Sequence, residues 1–305
     1  MPAAGKFAIA VHGGADSPHP GEGPPGTAAE RRAALLAALE RGRAVLEAGG
    51  AAVEAAIGAV TALEDCPLFN AGRGSAFAAD GGIEMDASAM DGASGRAGGV
   101  TTVRTVRNPI LAARAVMAES AQALLCAAGA EAFAAAHGLA MKENAWFATA
   151  HRRAQLDRAR ARTAAAPGAS PKTGTVGCVA RDRAGNLAAA TSTGGYTNKP
   201  PGRVSDSAVI GAGTWAENGV CAISCTGTGD LFIRDATARA IAALVQYGGM
   251  DLAAASGEAL GRIAANGGFG GVIGIDAAGR IVAERRAERM AWASLVEGEE
   301  PAAEG

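Results

Sequence analysis

The stretch KTGTVGCV, Lys172 to Val179, decides how this chain folds and what chemistry it can perform. Behind it, Thr163 to Lys172 holds two prolines, no aromatic residue and no aliphatic side chain larger than alanine. Such a segment buries too little apolar surface to order itself, so it is expected to be a flexible linker. From Thr175 onward the pattern becomes TVGCVARD, a turn at RAGN, and LAAATSTGG, which predicts a β-hairpin. A linker that meets a strand is ordinarily a surface connection. A threonine placed directly after glycine at such a junction has a second use. Its hydroxyl is a weak nucleophile unless a base sits beside it, and its own α-amino group can be that base once the threonine becomes chain-terminal. A terminal amine has a pKa of roughly 7.7–8.0 and is available near neutral pH. The bond in front of Thr175 would have to be cut. Gly174 tolerates the backbone strain that such a cut demands.

Working outward, the rest of the chain excludes several classes of function. Net charge is −2 and aromatic residues make up 4 % of 305, so nothing favours nucleic acid or an anionic membrane as a partner. The five cysteines contain no CxxC pair, and the four histidines contain no HxxxH or HExxH spacing. The first apolar run, before His12, is too short for a signal sequence or a membrane span. A cytoplasmic location and a small-molecule substrate are expected. Gly211 to Ala216 fits G-x-G-x-x-A with Asp230 as a possible acidic partner, but ENG follows where a dinucleotide fold needs a helix. No G-x-S-x-G elbow or phosphate-binding loop is present.

Thr27 and Glu30 form a T-x-x-E capping box that opens a helix running to Gly49-Gly50. A second helix spans about Ala51 to Asp65, and Asn108-Pro109 starts a third. Ser120 is expected to cap a fourth, and Asn144 to about Arg162 to form a fifth. Past the linker, GAGTWA and VCAISCTG predict a second strand pair. Helices are expected over about Leu231 to Tyr247 and Asp251 to Ala265, followed by a last hairpin in GGFGGVIGIDAAGRIVAERR. Helices flanking paired sheets predict an α+β chain with a four-layer αββα sandwich.

Several long motifs then fall in order: VHGGA at Val11 to Ala15, LEDCPLFNAGRG at Leu63 to Gly74, EMDASAMDG at Glu84 to Gly92, TGTVGCV, TSTGG, GRVSDS and SCTGTGD. Nearly the whole chain thereby resembles the plant-type asparaginases, also called isoaspartyl aminopeptidases, which are N-terminal-nucleophile hydrolases. The resemblance implies a single domain over 1–305, cut between Gly174 and Thr175 into subunits of 174 and 131 residues. It implies Thr175 as nucleophile, with Thr193 supporting it and Thr226 with the Gly227 N–H forming an oxyanion hole. Arg203 and Asp206 would hold the substrate's α-carboxylate and α-ammonium, with Gly229 beside them. Asn70 would order its loop near the nucleophile. The backbone carbonyls of Leu63, Glu64, Cys66, Phe69, Ala71 and Arg73 would hold a structural sodium ion, and no catalytic cofactor is implied. Arg73 departs from the small or apolar residue more usual in that loop. The substrates implied are L-asparagine and β-aspartyl dipeptides, and the assembly a dimer of αβ units. Asp230 stands where plant-type members more often have Glu and glycosylasparaginases have Asp, so glycosylasparaginase activity is the alternative. A non-catalytic amino-acid-binding relative is the other.

Overall fold

The computed structural model describes residues 5–16, 23–165 and 174–304. Its strands are β1 (Ala8–Asp16), β2 (Met85–Asp91), β3 (Ala97–Val103), β4 (Leu124–Cys126), β5 (Val176–Arg181), β6 (Leu187–Thr193), β7 (Thr214–Glu217), β8 (Cys221–Gly227), β9 (Gly270–Asp276), β10 (Ile281–Arg286), β11 (Arg289–Val296) and β12 (Ala302–Glu304). Its α-helices are α1 (Ala28–Glu47), α2 (Ala52–Asp65), α3 (Pro109–Glu119), α4 (Ala127–Ala136), α5 (Ala150–Ala165), α6 (Gly229–Asp235), α7 (Thr237–Gln246) and α8 (Leu252–Ala265). The strands form an eight-stranded sheet, β12-β11-β1-β5-β6-β2-β3-β4, and a four-stranded sheet, β10-β9-β8-β7.

The period of two along each strand builds four layers. Phe7, just before β1, and Ile9 and Val11 on it enter the core beneath α1, α2 and α3, whereas Ala8 and Ala10 face the second sheet. On β8, Cys221, Ile223 and Cys225 pack with α7 and α8, and Ala222 turns the other way to meet Ala8, Ala10 and Ala189. Small side chains thus fill much of the space between the sheets, as the low aromatic content allows. The αββα sandwich is the observed architecture. By the same alternation, the inner face of β5 begins at Thr175 and continues at Gly177, that of β6 carries Thr191 and Thr193, and that of β8 carries Ser224 and Thr226.

The capping box is in place: Thr27 N donates to Glu30 Oε2 at 2.7 Å, and Glu30 N donates to Thr27 Oγ1 at 3.2 Å. The expected β5–β6 and β7–β8 pairs form, and GAGTWA is a turn leading into β7, with no helix opening there.

Elsewhere long-range contacts override local pattern. The single helix expected over Leu231 to Tyr247 is two, broken at Ala236 in the left-handed conformation (φ 47°). The N–H groups of Ala238 and Arg239 donate to the carbonyls of Ala212 and Gly211, so α7 starts by capping that turn rather than by continuing α6. Ser120 opens no helix. Its hydroxyl accepts the Gln122 N–H, and the chain adds β4 in parallel to β3 before α4 begins. Asn108 does not cap α3 through its side chain. The buried Glu64 carboxylate, at the end of α2, accepts the Ile110 N–H at 2.9 Å instead. Asn144 to Arg162 divides into a 3-10 turn at Asn144–Phe147 and α5, and α5 runs on through 163–165, which the sequence pattern assigns to the linker. The remainder of that linker, 166–172, lies outside the described residues.

Replacing Thr27 by alanine removes one half of the capping box at an exposed helix start. Urea unfolding should register a loss of about 1 kcal/mol.

Candidate active site

Three threonines converge where β5, β6 and β8 present their inner faces at neighbouring ends. Thr175 Oγ1 donates to Thr193 Oγ1 at 3.2 Å, and Thr175 N donates to Thr226 Oγ1 at 3.2 Å. All three are buried. The Gly195 N–H donates to Thr193 Oγ1 at 3.0 Å, which orients that hydroxyl from the turn after β6. Thr226 Oγ1 also accepts the Ala15 N–H at 3.0 Å. Its own proton is therefore left to be donated elsewhere.

The peptide bond in front of Thr175 is held from its other side. Asn70 Nδ2 donates to the Gly174 carbonyl at 2.7 Å and to the Gly195 carbonyl at 2.6 Å, while Asn70 Oδ1 accepts the Ala76 N–H at 2.7 Å. An amide donor on the Gly174 carbonyl is placed to stabilise negative charge that develops there. Gly14 presses against the same bond. Its φ of +110° follows the irregularity in β1–β11 pairing between His12 and Gly14, and a Cβ there would lie 2.6 Å from Gly174 Cα. The VHGGA motif is thus backbone packed on the Gly174-Thr175 junction.

One step inward lies a row of buried polar groups that composition and motif reading did not single out. His12 Nε2 is 2.9 Å from Ser224 Oγ, which is 2.7 Å from Thr191 Oγ1. Thr214 Oγ1 donates to Thr191 Oγ1 at 2.7 Å, and Ser88 Oγ donates to Thr214 Oγ1 at 2.9 Å. The sequence signal is only that Thr191 and Ser224 stand two residues before Thr193 and Thr226. A side chain at Gly177 would fall on the Ser224 hydroxyl, which explains the glycine inside β5. Burial drives the His12 imidazole down to about 3, against an opposing contact from the Thr175 backbone, so it is uncharged at neutral pH.

Arg203 and Asp206 flank Gly229: a Cβ on that glycine would overlap Asp206 Oδ1 and lie 2.9 Å from Arg203 Nη2. The Arg203 guanidinium stacks 5.0 Å from the Tyr196 ring centroid and donates to Asp230, with Nη2 2.9 Å from Oδ2. Asp206 is buried, and loss of hydration raises its carboxyl to about 7 despite the opposing charge of Arg203. The pair offers one cationic and one anionic group, the complement of a free amino acid's two charged groups. Gly227, with φ +147°, follows Thr226 at the end of β8, and α6 begins at Gly229 but is only seven residues long.

The last turn of α2 and the loop after it contain the carbonyls expected to hold sodium. Those of Leu63, Glu64 and Cys66 accept the N–H groups of Cys66, Arg73 and Phe69. Neutral carbonyl oxygens suit a hard cation in kind, each has a second lone pair, and Gly72 and Gly74 at positive φ wrap the loop tightly. Arg73 points its guanidinium toward Trp146, 5.3 Å from the ring centroid. Glu64 is buried and its carboxyl is raised to about 8 by burial, with Ser192 Oγ donating to it at 2.6 Å. Among the described residues no cluster of three or more His, Cys, Asp or Glu side chains could hold a metal.

The sequence matches the asparaginase family over residues 5–302. The chain belongs to that family. It is similar to an isoaspartyl peptidase of Salmonella typhimurium, 45 % identical over 94 % of this chain and 95 % of the relative. An isoaspartyl peptidase of Escherichia coli is also 45 % identical, over 94 % and 93 % of the two chains. A probable isoaspartyl peptidase/L-asparaginase 2 of Arabidopsis thaliana is 37 % identical over 91 % and 92 %. The resemblance first seen in ordered motifs is therefore family membership. All five cysteines are free, and among the described residues no helix is long and apolar enough to cross a membrane.

Asp206 makes a stability prediction. The unfolded chain loses this proton near 3.8 and the folded one only near 7, so the folded state binds the extra proton between those values. Its contribution is therefore unfavourable and grows as pH rises from about 4 to about 7. In thermal unfolding, Asp206→Asn should gain more in Tm over the parent at about pH 8 than at about pH 4.

Proposed function

We propose that this protein is an autoprocessed threonine hydrolase that releases L-aspartate from L-asparagine and from β-aspartyl dipeptides. The observation that carries the proposal is the buried Thr175, with one hydroxyl on each side of it and an amide donor on the carbonyl it must attack. The names of the relatives support the substrate class. Self-cleavage begins when Thr175 Oγ attacks the Gly174 carbonyl carbon. Asn70 Nδ2 stabilises the oxyanion, the C–N bond breaks as nitrogen takes a proton, and water hydrolyses the resulting ester. The products are a Gly174 carboxylate and a free Thr175 amine, dividing the single domain into chains 1–174 and 175–305.

In the mature enzyme the α-amine accepts the proton of the Thr175 hydroxyl, whose orientation Thr193 maintains. Arg203 takes the substrate α-carboxylate and Asp206 the α-ammonium, with Gly229 leaving room between them. Thr175 Oγ attacks the side-chain carbonyl. Thr226 Oγ1 and the Gly227 N–H receive the oxyanion, a contribution of about 2.7–4 kcal/mol per donor in comparable hydrolases. Ammonia or the peptide amine departs with the proton, and water cleaves the β-aspartyl ester to free aspartate. A sodium ion held by the carbonyls of Leu63, Glu64, Cys66, Phe69, Ala71 and Arg73 would stiffen the loop that carries Asn70, and no catalytic cofactor is required. We also place the enzyme in the cytoplasm as a dimer of αβ units. The free cysteines support that compartment.

Intact-mass analysis of the purified protein should find two chains, the smaller starting at Thr175. Thr175→Ala should remain one inactive chain, and an active uncut chain would refute the mechanism. Asn70→Ala should slow cleavage about 10²–10³-fold in a gel time course, the scale of a lost oxyanion donor. Because Asp206 must be ionised to pair with an ammonium, KM for asparagine should fall as pH rises through about 7.

A further inference from the structure

We propose that Glu84 and Asp86, assisted by Lys199, are positioning residues that set substrate affinity by fixing the spacing of Arg203 and Asp206. The proposal rests on the assignment of those two residues to the substrate's charged groups. Residues 194–205 connect β6 to the 3-10 turn Asp206–Ala208. Across these twelve residues the chain makes no helix or strand beyond an isolated bridge between Lys199 and Ala78. Pro200 and Pro201 carry no N–H, and the backbone bonds inside the loop are turn bonds such as Lys199 N–H to the Tyr196 carbonyl and Arg203 N–H to the Pro200 carbonyl at 3.1 Å. Further restraint comes from outside the loop: the Asn198 N–H donates to the Phe77 carbonyl, the Lys199 carbonyl accepts the Ala79 N–H, and Glu84 and Asp86, at the start of β2, hold the chain nearest Arg203 and Asp206.

Glu84 Oε2 accepts the Gly202 N–H at 2.8 Å, and Asp86 Oδ2 accepts the Ser205 N–H at 2.8 Å. The first of these amides immediately precedes Arg203 and the second immediately precedes Asp206. Two carboxylates two residues apart, Glu84 just before β2 and Asp86 within it, therefore hold the chain just before each substrate-binding side chain. Asp86 is anchored in turn, because its Oδ1 accepts Thr101 Oγ1 at 2.6 Å and the Thr102 N–H at 2.8 Å. Lys199 is fully buried. Its Nζ donates to the carbonyls of Glu84, at 2.7 Å, and Gly194, at 2.9 Å, which ties the same strand to the turn behind Thr193. Burial lowers the Lys199 ammonium, and the charges of Asp86 and Glu84 oppose that shift. One ammonium between two carboxylates lets buried charge persist here, where uncompensated charge would be expelled.

This arrangement gives the two acids of EMD a role in the Arg203–Asp206 loop, although Asp86 also stands opposite Thr193 in the β2–β6 pairing. It also separates affinity from turnover: the clamp acts on Arg203 and Asp206, whereas the nucleophile is held by Thr193, Thr226 and Asn70. Asp86→Asn tests it at constant shape. An amide presents one acceptor and one donor, so it can satisfy Thr101 and Thr102 or Ser205, but not both. Glu84→Leu removes the acceptor for Gly202, and Glu84→Gln restores it.

The experiment measures KM and kcat for asparagine, the dissociation constant of L-aspartate, Tm, and completeness of cleavage in each variant, with Arg203→Lys alongside. Asp86→Asn and Glu84→Leu should raise KM and the aspartate dissociation constant about tenfold with kcat within about threefold. Cleavage should still go to completion, and Glu84→Gln should recover most of the affinity. If Glu84→Leu fails to fold, Asp86→Asn decides alone. Unchanged KM in Asp86→Asn, or a loss confined to kcat or Tm, overturns the proposal while an elevated KM in Arg203→Lys upholds the binding assignment. Unchanged KM in Arg203→Lys overturns the binding assignment itself.

Discussion

The hydroxyl of Thr226 ties the two sheets together at the level of Thr175. From the end of β8 it accepts the Ala15 N–H of β1 and the Thr175 N–H at the start of β5. Both amides are removed from water, and an unsatisfied one would cost about 1–3 kcal/mol. A single oxygen therefore fixes where β1, β5 and β8 end relative to one another. The neighbouring strand β6 then delivers Thr193 to the Thr175 hydroxyl through ordinary antiparallel register, with Val176 opposite Ser192. Convergence of the three threonines follows from strand pairing and period-two alternation, with the Thr226 bridge setting the register between sheets.

Close approach is the other constraint, and glycine and alanine meet it. Gly14 and Gly174 are in mutual contact, so neither position accepts a side chain without moving the junction. Gly177 yields its place to the His12–Ser224 hydrogen bond. Between the sheets, Ala8, Ala10, Ala189 and Ala222 keep the gap narrow enough for side-chain hydroxyls to span it. A composition poor in aromatics thus matches a site whose reactive groups belong to short side chains on strands.

Much of this was legible beforehand, for definite reasons. The β5–β6 and β7–β8 pairs announce themselves by alternation and turn residues, and the capping box by T-x-x-E. Thr175 is marked by a glycine-threonine junction behind a low-complexity stretch and by the motifs downstream of it. What misled was local grammar that distant groups overrule. Asn108 has the residue type of a cap, yet Glu64 occupies the helix start. Leu231 to Tyr247 has continuous helical character, yet the carbonyls of Gly211 and Ala212 claim the first amides of α7. Glu84 and Asp86 stand out in the sequence only as part of a family motif, because the loop amides they accept, of Gly202 and Ser205, lie more than a hundred residues away.

The sequence by itself determined the layers, the three hairpins β5–β6, β7–β8 and β9–β10, the family, and which threonines to look for. Each is written in short-range periodicity or in contiguous motifs. Tertiary structure alone decided which hydroxyl meets which amide, that Asn70 takes the Gly174 carbonyl, that His12 is neutral, and how the Arg203–Asp206 loop is held. Those outcomes depend on the separation of two sheets and on removal of water from the space between them. No local stretch of residues encodes either quantity.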